Sequence, residues 1–122
     1  MNYEKIKNDL ISEVRLTNSQ VEVFLLVTLN GKMSVSQISE SLEISTDDAL
    51  ETSQKLIELG GFIDMPETEF EAMHPSFTAV NMYRKMCERE NIDFKKNSIV
   101  DNIGIALEEP YDDVRTKYNR KR

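Results

Sequence analysis

Two side chains with special chemistry occur once each in the 122 residues: His74 and Cys87. One imidazole and one thiol cannot build an ordinary zinc centre, which draws several such ligands onto one ion. His74 directly precedes Pro75 and a helical stretch, so it reads as a helix-entry residue. Cys87 falls in an apolar stripe at helical spacing and reads as a packing residue. Alone, it cannot close a disulfide within the chain, in keeping with a reducing compartment. Carboxylates are plentiful, but Asp47-Asp48 and Glu108-Glu109 are sequence neighbours that splay around a helix instead of facing each other. No glycine-rich phosphate-binding pattern and no GxSxG nucleophile pattern occurs. The residues therefore predict no catalytic group, no metal ligand and no cofactor. Recognition through a surface is the chemistry that remains.

The charge is unevenly spread over a chain of net −7. Residues 1–32 carry four basic and four acidic side chains, residues 33–83 one basic (Lys55) and ten acidic, and residues 84–122 ten basic and eight acidic. An acidic centre thus lies between a neutral and a slightly basic flank. The first ten residues are charged, and the apolar run 21–29 is interrupted by Glu22 and is too short to span a bilayer. A cytoplasmic protein without a membrane segment is expected.

The elements that must position this surface follow from periodicity. Tyr3, Ile6, Leu10, Ile11 and Val14 predict an amphipathic helix over residues 1–15. Thr17 with Gln20, or Ser19 with Glu22, caps a helix carrying Val23, Phe24, Leu26, Val27 and Leu29. Within residues 35–63, apolar positions Val35, Ile38, Leu42 and Ile44, then Ala49, Leu50, Leu56, Ile57 and Leu59, predict two helices joined by a tight turn. Ser34 with Gln37 and Ser45 with Asp48 mark their starts, and Gly60 and Gly61 end the second. Met33-Ser34 can supply a short first strand. Residues 62–65 and 69–73 read as two strands joined by Pro66-Glu67-Thr68, with Phe70 and Ala72 on one face and Glu69, Glu71 and Met73 on the other. A helix over 76–90 has a wide apolar face that either another subunit or the chain's own C-terminal segments can cover. Ile92 and Phe94 are possible anchors in the polar connector 91–97. A helix over 98–109 is expected to end at Pro110, followed by a last short helix over 111–118 and the basic tail 119–122.

Leu16-Thr17-x-x-Gln20-Val21, Ile38-Ser39-x-x-Leu42-x-Ile44-Ser45, Ala49, Leu56-x-x-Leu59-Gly60-Gly61-Phe62-Ile63 and Phe70-x-Ala72-x-His74-Pro75 together resemble the winged helix-turn-helix of TrmB-type archaeal transcriptional regulators. The resemblance covers the middle two thirds of the chain. It departs at Glu43, where the turn usually has a glycine, and it leaves no room for the sugar-binding domain of the long family members. It implies a mainly α fold with a small β-hairpin: an N-terminal helix (1–15), a winged helix-turn-helix domain (16–75), and C-terminal helices with a basic tail (76–122) as a possible dimerisation region.

On that fold the second helix of the motif would present Thr46, Asp47, Asp48, Glu51, Thr52 and Lys55 to a major groove. Lys32, Ser36, Gln37, Thr46, Thr52 and Lys55 are the candidate DNA-binding residues. Tyr83, Met86, Ile99, Ile103 and Leu107 are the candidate homodimer interface. Affinity for duplex DNA comes largely from lysine and arginine on phosphates, and Asp47, Asp48 and Glu51 would be repelled. Two functions stay open: a dimeric regulator that binds double-stranded DNA, and an acidic module that docks on a basic protein such as transcription machinery.

Overall fold

A computed structural model describes residues 2–64 and 69–120, the last four of these and Asp64 by backbone alone. The expected hairpin loop Pro66-Glu67-Thr68, the strand end at Met65 and the side chains of the basic tail lie outside the described residues. The chain is mostly helical with a small antiparallel sheet. Its order is α1 (Tyr3–Asp9), a π-helical turn (Leu10–Val14), α2 (Asn18–Asn30), β1 (Met33–Ser34), α3 (Val35–Leu42), α4 (Thr46–Leu59), β2 (Ile63–Asp64), β3 (Glu69–Glu71), α5 (Pro75–Glu90) and α6 (Ser98–Arg120). No helix among the described residues is long and apolar enough to cross a membrane.

Most helix starts form as local chemistry dictates. Thr17 caps α2 through a reciprocal pair: its Oγ1 accepts from the Gln20 N–H at 3.2 Å and its own N–H donates to Gln20 Oε1 at 3.0 Å. Ser34 and Gln37 do the same for α3. At α4 the exchange is one-way, since Ser45 Oγ accepts from the Asp48 N–H but the Asp48 carboxylate makes no return bond. The predicted first helix is not uniform. It widens into the π turn at Leu10 and stops at Arg15, which takes a left-handed φ of 64°.

The sheet has three strands in the order β1-β3-β2, both pairings antiparallel, with Met33 opposite Phe70 and Ile63 opposite Glu71. The predicted alternation holds: Phe70 and Ala72 are buried while Met73 is exposed. Phe70 and Phe62 stand 6.0 Å apart in a tilted pair and Phe62 and Phe24 6.3 Å apart in a stacked one, so the sheet reaches the centre of the core through packed rings. Around them Leu10, Val27, Ile38, Leu56, Met82 and Leu107 are sealed from water.

The C-terminal third departs from expectation. Pro110 does not end a helix; α6 runs through it to Arg120. Proline withholds one N–H and crowds the preceding turn, at a cost of about 3 kcal/mol in a free helix, so tertiary contacts must hold the distal half. Tyr111 Oη and Arg115 Nη2 both donate to the Ala72 carbonyl, at 3.4 and 3.1 Å. Arg115 also faces Glu71 at 3.6 Å and lies 3.4 Å over the Tyr111 ring. Val114 packs on the space beside Gly31. At the other end Asn97 caps α6 and donates to Glu13 Oε1 at 3.0 Å, tying the helix to the π turn.

Between these ties α6 crosses α5 closely. A Cβ on Gly104 would stand 2.7 Å from Ser76 Cα, a backbone atom that cannot step aside. The chain's own α6 thereby covers the wide apolar face of α5. Met86, Ile103 and Leu107, assigned above to a dimer face, are buried in this intrachain contact and are not available to a partner. Ile99 is exposed, and half-buried Tyr83 packs 5.9 Å from Phe94. The connector anchors weakly, with Ile92 and Phe94 both largely in solvent.

Two measurements check this packing. Gly104→Ala raises helix propensity by about 1 kcal/mol but overpacks the crossing by about 1–3 kcal/mol, so a lower urea midpoint is expected. Burial raises the Tyr111 phenol above the usual 10.0, against the opposing pull of Arg115. A folded-state pKa above the unfolded one means that this contribution is complete below about pH 10 and is lost as pH climbs through the folded value. Chemical denaturation between pH 8 and 11 is expected to show a steeper alkaline loss for the natural chain than for Tyr111→Phe.

Candidate macromolecule-binding face

The face begins at the turn between α3 and α4. Ser39 ties it from inside: its backbone carbonyl accepts from the Glu43 and Ile44 N–H groups, and its Oγ donates to the Ile44 carbonyl at 2.6 Å. Glu43 adopts φ 54°, ψ 45°, the left-handed conformation that glycine takes without strain. The position where the resembled pattern has glycine thus keeps glycine's geometry with a glutamate in place.

From this turn α4 runs with Ala49, Ser53, Leu56 and Leu59 inward, all buried. That inward spacing forces Thr46, Asp47, Asp48, Glu51, Gln54, Lys55 and Glu58 into solvent, and Thr52 is half-buried. The helix ends as predicted, but Gly60 alone takes positive φ, at 91°. The Gly61 N–H donates to the Leu56 carbonyl at 2.8 Å and the Gly60 N–H to the Ile57 carbonyl at 3.1 Å, the paired bonds of a Schellman ending.

All six candidate DNA-binding residues lie on α3, α4 or the turn before β1, and Lys32, Ser36, Gln37, Thr46 and Lys55 are exposed. They are not equally at liberty. The Gln37 carbonyl oxygen is committed to the α3 cap, and Lys55 Nζ sits 3.2 Å from Glu58. Thr52 and Lys55 line an open groove of 520 Å³ between the start of α2 and the outer side of α4, with Thr17, Gln20, Glu51, Gln54 and Glu58.

The field on this face is negative. Glu40, Glu43, Asp47, Asp48, Glu51 and Glu58 are exposed on α3, the turn and α4. Asp47 and Asp48 have a structural reason to be there, since acids in a first turn meet the positive end of the helix. Several flanking cations face acids: Arg15 with Glu90 at 3.4 Å, Arg84 with Glu88 at 3.6 Å, Lys96 with Asp101 at 3.5 Å and Arg115 with Glu71 at 3.6 Å. Among the described side chains Lys32, Lys85, Arg89 and Lys95 have no ion-pair partner.

A second cluster escapes sequence reasoning. Glu108 and Asp112 share one side of α6 at a four-residue spacing and meet His74, with one ligand-type atom of each within 4.8 Å of the others. Reading Pro110 as a helix stop hides that spacing; a helix continued through it would reveal it. His74 caps α5, its Nδ1 accepting from the Ser76 N–H at 3.3 Å, while Nε2 faces Glu108 Oε1 at 3.7 Å and Tyr111 packs edge-on at 5.4 Å. With Nδ1 taken up by the α5 cap and the ring against Tyr111 and Glu108, the cluster brings the start of α5 to α6.

Comparison with protein-family models, curated proteins and solved structures finds no match. The chemistry of this face thus rests on its own geometry. At the turn, Glu43→Gly is expected to raise stability by about 0.5–1 kcal/mol by removing left-handed strain, seen as a higher urea midpoint at unchanged helix content.

Proposed function

We propose that this chain is a DNA-binding transcriptional regulator of the winged helix-turn-helix type, acting as a homodimer. One observation carries the reading: α4, the second helix of a capped helix pair, turns a full polar side to solvent. The order helix, strand, helix, helix, strand, strand, with the last strand between the other two, agrees with the winged layout that the sequence resembles. In such a layout the exposed helix enters a major groove. Lys32 and Lys55 would meet phosphates, and Ser36, Thr46 and Thr52 would donate or accept at backbone or base edges. With Met86, Ile103 and Leu107 buried, a two-fold contact is left with Ile99 and Tyr83 among the residues first assigned to it.

A second reading has its own support. Six exposed carboxylates on α3, the turn and α4 suit a basic protein partner better than a phosphate backbone. On that reading the same helix docks on lysine- or arginine-rich protein surface.

Fluorescence anisotropy on a labelled random duplex across a salt series separates the two. The regulator reading predicts binding near ~20 mM salt that weakens about tenfold or more between ~50 and ~200 mM, with Lys55→Glu lowering the salt slope by about one. No binding at the lowest salt eliminates it. Capture of a basic peptide that is lost in Asp47→Asn/Asp48→Asn/Glu51→Gln would then favour the protein-docking role.

A further inference from the structure

At the far end of α4 from its capped start, a groove of 240 Å³ opens between Gly60 and Gly61, β2 and α5. Its walls are apolar, formed by Ile57, Phe62, Ile63, Met73 and Phe77. Met73 and Phe77 stand 47% and 54% exposed, two large apolar side chains in water at one rim. The polar groups of the groove are mostly spent. The Thr78 hydroxyl lies 3.0 Å from both the Met73 and His74 carbonyls. Asn81 donates to the Gly60 carbonyl at 3.3 Å and accepts from Arg84 at 2.6 Å.

Lys85 is the exception. It is half-buried, and its methylene stem crosses Gly60 so closely that Cδ lies 2.8 Å from where a Cβ would stand. Among the described residues no carboxylate reaches its ammonium. An ammonium has three donors and no acceptor, and its hydrogen bonds to an anion are charge-assisted. Among the described residues, the groove thus holds one cation with no carboxylate partner beside bare hydrocarbon.

From this pairing we infer that the groove binds a small monocarboxylate with an apolar body. The carboxylate sits on Lys85 Nζ and the hydrocarbon lies against Met73, Phe77 and Ile63. The volume is below the range of drug-sized pockets, about 300–1,000 Å³, which suits a ligand of about ten non-hydrogen atoms. This inference does not rest on α4 touching DNA, and either can fail without the other.

The test is a titration of the ¹⁵N-labelled full chain with phenylacetate, and in parallel with phenylacetamide, the neutral molecule of the same shape. Amide shifts centred on Gly60, Gly61, Phe77 and Asn81 are expected, saturating on the order of millimolar, with the amide at least about tenfold weaker. Lys85→Met keeps the stem over Gly60 and is expected to abolish the preference, whereas Lys85→Arg retains it. Equal binding of acid and amide, preference that survives Lys85→Met, or shifts absent from the groove would overturn the inference. The acid-against-amide comparison needs no variant and so stands even if a substitution impairs folding.

Discussion

The close crossing of α5 and α6 at Gly104 is the constraint on which the rest of the structure depends. Only a residue without a side chain lets the two backbones meet at Ser76, and that approach brings Val100, Ile103 and Leu107 down onto the apolar faces of the preceding helices. Dispersion and burial fall off steeply with separation. A crossing an ångström wider would leave Met82 and Met86 poorly covered. Asn97 on Glu13 at one end, and Tyr111 and Arg115 on the Ala72 carbonyl at the other, hold α6 in register along that seam.

The surface helix α4 is built differently, with neighbours on one side only. The inward residues of α4 pack on α2, α3 and α5, and its opposite side is left to water. Two demands then fall on the same first turn. Acids at Asp47 and Asp48 favour the helix's positive end, and the same charges oppose any phosphate brought to it. A helix stabilised this way suits phosphate only if cations nearby outweigh it, and among the described side chains Arg15, Arg84, Lys96 and Arg115 of the flanks already face acids.

Local chemistry was legible at most points where a few residues decide the outcome. The caps at Thr17 and Ser34, the Gly60 ending and the Phe70/Ala72 alternation each depend on neighbours within about one helical turn or one strand, so residue type and spacing specify them. Glu43 shows the same from the other side. Its position demands left-handed φ whatever residue fills it, and the turn is stitched by Ser39 strongly enough to hold a glutamate there.

The chain order, the helix starts and the acidic centre were therefore determined by the sequence alone, because hydrogen bonding and charge at short range leave few alternatives. Tertiary structure decided the rest. Pro110 is carried inside α6 by contacts to residues about forty positions away, whose gain no local rule contains. The wide face of α5 admitted either a second subunit or the chain's own C-terminus, and only the meeting of Gly104 with Ser76 selected the latter. His74 with Glu108 and Asp112, and Lys85 over Gly60, are likewise juxtapositions of separate elements, and such meetings exist only once packing has chosen which surfaces touch.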